Sequence, residues 1–458
     1  MSRPFRKCGA LLAGIFCGST LARAADVPQA ASPTFDREAA AAEVRAEFLH
    51  AWEGYKRYAW GHDELMPVSR TAKDWYAESL WMTPIDALDT MLVMGLTEEA
   101  EKTKTALVQG LSFDKNISVK NFEITIRVLG GLLSAYQMTQ DRRLLALAED
   151  LGNRLLPAFE SPTGMPYMYV NLKTGERSGA RSNPAEIGTL ILEFGTLGRL
   201  TGKTAFFDKA KKALVSLYQR RSKIGLVGEE IQVETGAWKS LQSHIGGGID
   251  SYYEYLVKCG KLFGDPQCAD MAQQSLRAVN RYLADEGESG LWYGQVDMAT
   301  GRRTATTYGA LQAFFPAVLA LFGDVGNARR LQDSGWKMWT SSGIEPEELD
   351  YRSLSIVTPG YALRPEIIES AYYLFHYTKD PKYLEMGRAF FADIRKYCRT
   401  ENGYTVLTSV VSKEKGDLMP SYFLAETLKY LYLLFKPDAL DFDRVVFNTE
   451  AHPLRRSP

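Results

Sequence analysis

The sequence predicts an all-α fold, a closed α/α toroid of seven helical hairpins with short β-hairpins in its loops and its C-terminal segment tucked inside. Three observations predict it. Polar turns recur about every sixty residues, amphipathic runs of helical length lie between them, and the chain stays apolar almost to its end.

The turns are Thr139-Gln-Asp141, Thr201-Gly-Lys203, Gly264-Asp-Pro266, Gly323-Asp-Val325 and Thr378-Lys-Asp380. Positions 141, 203, 265, 324 and 380 lie 62, 62, 59 and 56 residues apart. Each turn precedes a helical pattern, and its Asp or Thr is placed to cap the second helix of a pair. Taken in order, the runs fall near 36–60, 78–94, 97–110, 121–138, 141–156, 184–200, 203–221, 248–263, 265–284, 307–322, 324–341, 364–377, 380–398 and 420–434. Fourteen helices make seven antiparallel pairs. A second marker keeps step with the first. Thr174-Gly175, Thr235-Gly236 and Thr300-Gly301 each follow a β-like run, at Tyr167–Val170, Glu230–Val233 and Leu291–Val296, and read as hairpins between helix pairs. An open helical stack needs polar end caps. Here the last helix leads into Val445-Val446-Phe447-Asn448-Thr449 instead, an apolar end that favours a closed ring.

Ahead of the first helix, Arg3, Arg6 and Lys7 precede an apolar run from Gly9 to Gly18, and Ala22-Arg23-Ala24 offers a cleavage site. This is the order of a secretory signal peptide over residues 1–24, leaving a single domain over 25–458 that is soluble, exported and monomeric. Cleavage removes Cys8 and Cys17 and leaves Cys259, Cys268 and Cys398, so one thiol stays unpaired. A Cys259–Cys268 bridge is open, with the balance of the sequence against it.

Lys and Arg number 54 against 55 Asp and Glu, a net charge of −1 without basic runs, which argues against a nucleic-acid partner. No later stretch is long enough to span a bilayer.

The acids fall on the period. Glu123, Glu186, Asp250, Glu366 and Glu426 stand near the starts of alternate helices, 63, 64, 116 and 60 residues apart. Because 116 is close to two repeats, every hairpin but one over that stretch contributes an acid to one mouth of the ring. Acids are common in first helical turns, where the dipole favours them. These, however, lie in apolar segments, where a carboxylate costs several kcal/mol to bury unless paired or bound to a cation. Arg127 stands four residues after Glu123 as one partner, and Glu369 lies one turn after Glu366. Opposed carboxylates across a cleft are the machinery of glycoside hydrolysis: one gives a proton to the leaving oxygen, the other acts as base or nucleophile. Trp75, Trp81, Tyr308 and Tyr422 are candidate faces for stacking on sugar. Five histidines without an HExxH pair argue against zinc. Carboxylates without histidine favour a hard cation such as Ca²⁺.

The segment Phe122-Glu-Ile-Thr-Ile-Arg-Val-Leu-Gly-Gly-Leu-Leu-Ser-Ala-Tyr136 resembles the class I α-1,2-mannosidases of glycoside hydrolase family 47. The likeness continues through Asp250–Leu256, Leu363-Arg-Pro-Glu366 with Glu369-Ser370, Glu426–Leu431 and Val446-Phe-Asn-Thr-Glu-Ala-His-Pro-Leu454. The resemblance implies an (α/α)7 barrel and a Ca²⁺-dependent, inverting exo-α-1,2-mannosidase acting on mannose-rich glycans. It implies that Thr449 alone ligates Ca²⁺ directly, through hydroxyl and carbonyl. Glu186, Glu366, Glu369, Glu426 and Glu450 would orient the waters around the ion. It assigns Glu123 as general acid acting through a water and Glu366 as general base, with Asp250 a further candidate acid. Arg127, Arg364 and Tyr422 would hold the sugar, Tyr422 by stacking.

Several positions depart from that pattern. Gly248 stands where relatives place an Arg or Leu that helps choose the mannose branch. Ala310, Ala313 and Gly335 stand where many relatives have a His and two disulfide cysteines, which suggests a bacterial or divergent member. Export would mean periplasm or the outside of the cell for a bacterium, and the secretory pathway for a eukaryote. Gly248 and Ala310 also motivate the alternative, a lectin-like binder of mannose-rich glycans with little or no turnover. A third reading, an enzyme for acidic polysaccharide, suffers from the acidic cleft, which would repel such a substrate.

Overall fold

The computed structural model describes residues 35–456. The predicted signal peptide lies outside them. From Arg37 onward, helices alternate between an outer and an inner ring. The outer helices are Arg37–Tyr58, Thr97–Gly110, Arg142–Leu155, Thr204–Tyr218, Pro266–Tyr282, Val325–Ser342 and Lys382–Cys398. Each buries one stripe and leaves the other side in water, as Leu144, Ala148, Leu151 and Leu155 do in the third. The inner helices are Met82–Val93, 121–139, 184–201, Asp250–Phe263, 310–322, Glu366–Thr378 and 423–435. These are buried almost all round. The predicted fourteen helices and seven pairs are therefore present. Each inner helix packs on the next, the last returns to the first, and the first outer helix, Arg37–Tyr58, packs against the last inner one at Leu428–Phe435, so the end of the ring meets its beginning.

The turns that mark the period cap the outer helices. Asp141, Asp265 and Asp324 accept from the backbone N–H of Arg143, Cys268 and Asn327, and Asp380 accepts from Lys382. Lys203 makes no such cap. All three predicted hairpins form: Tyr169–Asn171 with Arg177–Ser178, Glu230–Gln232 with Trp238–Ser240, and Gln295–Asp297 with Arg303–Ala305. Their loops lie at the end of the barrel where outer helices finish and inner helices begin.

The C-terminal segment plugs the barrel. Strands Val445–Phe447 and Pro453–Arg455 pair antiparallel and pack against inner helices 250–263 and 130–139. Two glycines make room for it. A Cβ on Gly130 would stand 2.6 Å from Asn448 Nδ2, and one on Gly131 would stand 2.7 Å from Ile85 Cγ2 and 3.2 Å from His452 Cε1.

One expectation is overturned. Cys259 and Cys268 form a disulfide, because the turn at Gly264-Asp265 folds the last turn of one helix against the first of the next, with the Cα atoms 5.8 Å apart. Cys398 is the free thiol, and it is buried. Among the described residues no helix is long and apolar enough to cross a membrane.

Candidate active site

Because the rings alternate in direction, all seven inner helices present their N-terminal ends to one mouth. A cavity of about 290 Å³ opens there. All eleven residues predicted for the site line it: Glu123, Arg127, Glu186, Asp250, Arg364, Glu366, Glu369, Tyr422, Glu426, Thr449 and Glu450. Glu254, which follows Asp250 by one helical turn, adds an eighth carboxylate, while only Lys120, Arg127 and Arg364 line the cavity as cations. The repeat that carries no acid contributes Leu311 and Phe314 instead.

Local backbone irregularity aims several of these groups. The inner helix carrying Glu123 switches to π-helical turns over Thr125–Leu129, and the one carrying Glu426 is π-helical over Phe423–Thr427. A π turn inserts a residue and rotates the side chains before it, a device common at functional sites. Leu363, just before Arg364-Pro365-Glu366, has φ of 61°, and its carbonyl accepts from Thr427 Oγ1 at 2.7 Å. Ala451 has φ of 57° in the turn that presents Thr449. Asn448 Oδ1 holds that turn by accepting from the N–H groups of Glu450 and His452 at 3.0 and 2.8 Å. Such left-handed conformations in residues with a Cβ cost of order 1–3 kcal/mol and persist only where the surroundings enforce them.

Arg127 is the hub of one wall. It donates to Glu123 Oε2 at 3.0 Å, pairs with Glu450, lies 3.9 Å from Asp86, and rests its guanidinium near the Trp75 and Tyr422 rings. Lys120 crosses the cavity mouth to Glu186 at 2.7 Å and comes within 3.8 Å of Glu123. Arg364 is held by Glu347 at 2.8 Å and reaches Glu366 only at 4.0 Å. Glu254 pairs with buried Lys258, which lies 3.7 Å from Glu369. Asp250 accepts from its neighbour Ser251 and makes no ion pair among the described residues. Among the described residues Glu426 makes no hydrogen bond or ion pair, and Glu186 and Glu366 each keep one buried oxygen without a partner.

Burial with too few cations drives these acids upward. It raises the Asp250 carboxyl to about 6 and those of Glu186 and Glu366 to about 7. Glu369 and Glu450 are raised to about 8 by burial, only partly offset by Lys258 and Arg127, and Glu426 lies well above its ordinary value. Thr449 faces this group with a hydroxyl and a carbonyl that make no hydrogen bond among the described residues; its N–H donates to Tyr255 at 3.2 Å. Two free oxygens on one residue beside an excess of carboxylates are donors suited to a hard divalent cation.

The aromatic candidates divide. Tyr422 lines the cavity, its hydroxyl donating to Ala362 O at 2.6 Å. Tyr308 is fully buried against Trp292, Trp81 packs edge-on to Trp60, and Trp75 backs Arg127 from behind. None of those three lines the cavity. Gly248 lines it at φ of 89°, leaving that stretch of wall without a side chain.

Residues 47–456 match the model of glycosyl hydrolase family 47. The chain belongs to that family and is a glycoside hydrolase. It is 40% identical over 439 residues to an α-mannosidase I of Arabidopsis thaliana, covering 91% of this chain and 69% of the relative. It is 38% identical over 440 residues to the human endoplasmic reticulum mannosyl-oligosaccharide 1,2-α-mannosidase, covering 89% of this chain and 62% of that one. Among solved structures, the α-1,2-mannosidase from Trichoderma reesei superposes with a TM-score of 0.83 at 29% identity, over 92% of this chain and 99% of the other. The barrel expected from the repeat is thus the family's barrel. These relatives come from a plant, an animal and a fungus, and they lend a bacterial periplasm no support.

The sequence reading missed several groups of this family-47 chain. Lys120 and Glu254 stand in or beside quoted motifs, yet a lone Lys before a helix and a Glu among tyrosines look like ordinary surface and core residues. Beneath the cavity, Asp89 pairs with Lys429 and His452, each at 2.7 Å, and Asp86 lies 3.4 Å from His452. The available signal was two acids three apart in the apolar helix Met82–Val93.

Proposed function

We propose that the protein is a Ca²⁺-dependent, inverting exo-α-1,2-mannosidase that removes terminal mannose from mannose-rich glycans. The observation that carries this reading is the cavity itself: eight carboxylates around the unengaged hydroxyl and carbonyl of Thr449, in a family-47 barrel whose relatives are named as 1,2-α-mannosidases.

Thr449 would hold the ion directly, with Glu186, Glu366, Glu369, Glu426 and Glu450 orienting the waters around it. When bound, Ca²⁺ supplies charge that neutralises the acids and ligation for sugar hydroxyls. The chain's own groups do the proton work. Glu366, raised to about 7, is set to accept a proton from the attacking water near neutral pH. Glu123 would deliver a proton to the leaving oxygen through a water. Asp250 is a second candidate for that role, on the observation that Glu123 lies within 4 Å of two cations while Asp250 makes no ion pair among the described residues and is raised to about 6. Tyr422 offers the flat face for the sugar ring, and Arg127 and Arg364 fix the geometry around it.

The leader over residues 1–24 would export the chain, and the endoplasmic reticulum names of its relatives favour the secretory route.

Product analysis on a panel of mannose disaccharides, with and without chelator, tests the reading. Release of mannose from the α-1,2 disaccharide alone, lost on chelation and restored by Ca²⁺, is the expected result. Proton NMR of the first product should show the β anomer. Turnover unaffected by chelation, or α-anomeric product, would overturn the metal or the inverting step respectively.

A further inference from the structure

A second hollow, about 650 Å³, lies outside the cavity, where the outer helices Thr204–Tyr218 and Pro266–Tyr282 both end. Arg221, Lys223, Arg277 and Arg281 line it, with Gln274 and Tyr282, and no carboxylate does. None of the four cations makes an ion pair, although most arginines and lysines elsewhere in the described residues do.

The hollow is built rather than incidental. Arg221 is held in place: it donates to Tyr218 O at 2.9 Å and Gln274 Oε1 at 3.0 Å, and its guanidinium lies 3.6 Å from the Tyr218 ring centre. Gln274 in turn donates to Asp270 at 2.7 Å, an acid that does not itself line the hollow. Gly225, at φ of 91°, brings the loop against the helix, where a Cβ would stand 3.0 Å from Ala278 Cβ. Arg277 and Arg281 are one turn apart on one face, a like-charge pair that disfavours the helix. Two helix C-termini account for part of this charge. Four unpaired cations exceed what two partial charges of about −0.5 need.

We propose that this hollow binds an oxyanion ester, phosphate or sulfate, carried on an oligosaccharide. Planar guanidinium groups suit such tetrahedral anions through paired N–H donors. The hollow lies at the same end of the barrel as the cavity mouth, because outer helices end where inner helices begin. A glycan whose neutral mannose enters the cavity could therefore lay a charged branch here. That last step rests on the function proposed above; the anion site itself does not.

The test is equilibrium titration of the full chain, with Ca²⁺ present and Glu366→Gln to stop turnover, at about 50 mM salt. The probes are a mannose oligosaccharide bearing one phosphate monoester, its phosphatase-treated twin, and inorganic phosphate. The phosphorylated form should bind roughly tenfold tighter than the twin, a difference of about 1.4 kcal/mol. Arg277→Ala with Arg281→Ala should erase the difference, as should about 0.5 M salt, while the same pair in otherwise native enzyme leaves kcat/KM on α-1,2-mannobiose unchanged. Equal affinity for both oligosaccharides overturns the proposal, as does a preference that survives the arginine replacements. Inorganic phosphate binding as tightly as the ester overturns the carbohydrate part. A phosphate preference in a protein that fails to cleave mannobiose would sink the mannosidase reading and leave this site standing.

Discussion

Two buried acid clusters share the barrel, and they are built in opposite ways. Under the cavity, Asp89 is fully buried between Lys429 and His452. Burial alone would raise its carboxyl, but those two cations hold it below the ordinary value. His452 responds in kind: burial would lower it, yet Asp89 and Asp86 raise it to about 9. The cavity acids have too few cations, and Glu186, Asp250, Glu366, Glu369, Glu426 and Glu450 are raised. A buried charge cluster that is satisfied internally ties the plug to the ring; one left unsatisfied needs a ligand to complete it.

The largest effect should come from the cavity's chemistry. Glu366→Gln is expected to lower kcat by at least about a thousandfold while glycan binding, followed by calorimetry, is kept. Full turnover by this variant would remove Glu366 from its proposed role. Next comes the paired cluster. Asp89→Asn leaves Lys429 buried without its partner and should cost about 3–5 kcal/mol in urea unfolding. Glu426→Gln removes an acid with no partner, and in chelated protein should cost little or stabilise. Equal losses from the two variants would erase the distinction drawn here.

The third prediction uses pH. Glu186 and Glu366 have folded values near 7, and Glu369 and Glu450 near 8, all above the ordinary glutamate value of 4.5. The folded state therefore binds more protons than the unfolded one. Their contribution is fully present below about pH 4.5 and is lost as pH rises towards 8. In chelator, the Tm component from this cluster should fall from pH 5 to 8. Ca²⁺ should restore it most at the upper end, by mass action on the ionised site. A calcium-induced shift in Tm that is equal at pH 5 and pH 8 would contradict this. The smallest effect is expected from Lys120→Met, which frees Glu186 at the mouth. A change of about tenfold in kcat/KM with a displaced pH optimum would mark it as a positioning residue, whereas an unchanged profile would reduce it to a surface pair.

The ring and five of the cavity acids, Glu123, Glu186, Asp250, Glu366 and Glu426, were legible because they obey one rule: each sits at the same height on a repeat. Glu450 and Thr449 lie off the period in the C-terminal segment and were reached only through the family resemblance. Residues that satisfy one another across the chain were not legible. Asp89 meets His452 from 363 residues away, and neither falls on the period. The stacking aromatics divided for a similar reason. Tyr308 and Tyr422 are the same residue type in similar company, and only the packing decides that one fills core and the other lines the cavity. The Cys259–Cys268 bridge escaped because counting thiols says nothing about how tightly a turn folds.

Gly130 and Gly131 carry one further consequence. They form the seat for a strand pair translated after every helix of the ring. Until that pair docks, Thr449 is absent from the mouth and the acids surround nothing. A nascent chain halted near residue 444 would carry every general acid and base named above, yet be inert. Catalytic competence in this protein should arise in a single late event rather than accumulate hairpin by hairpin.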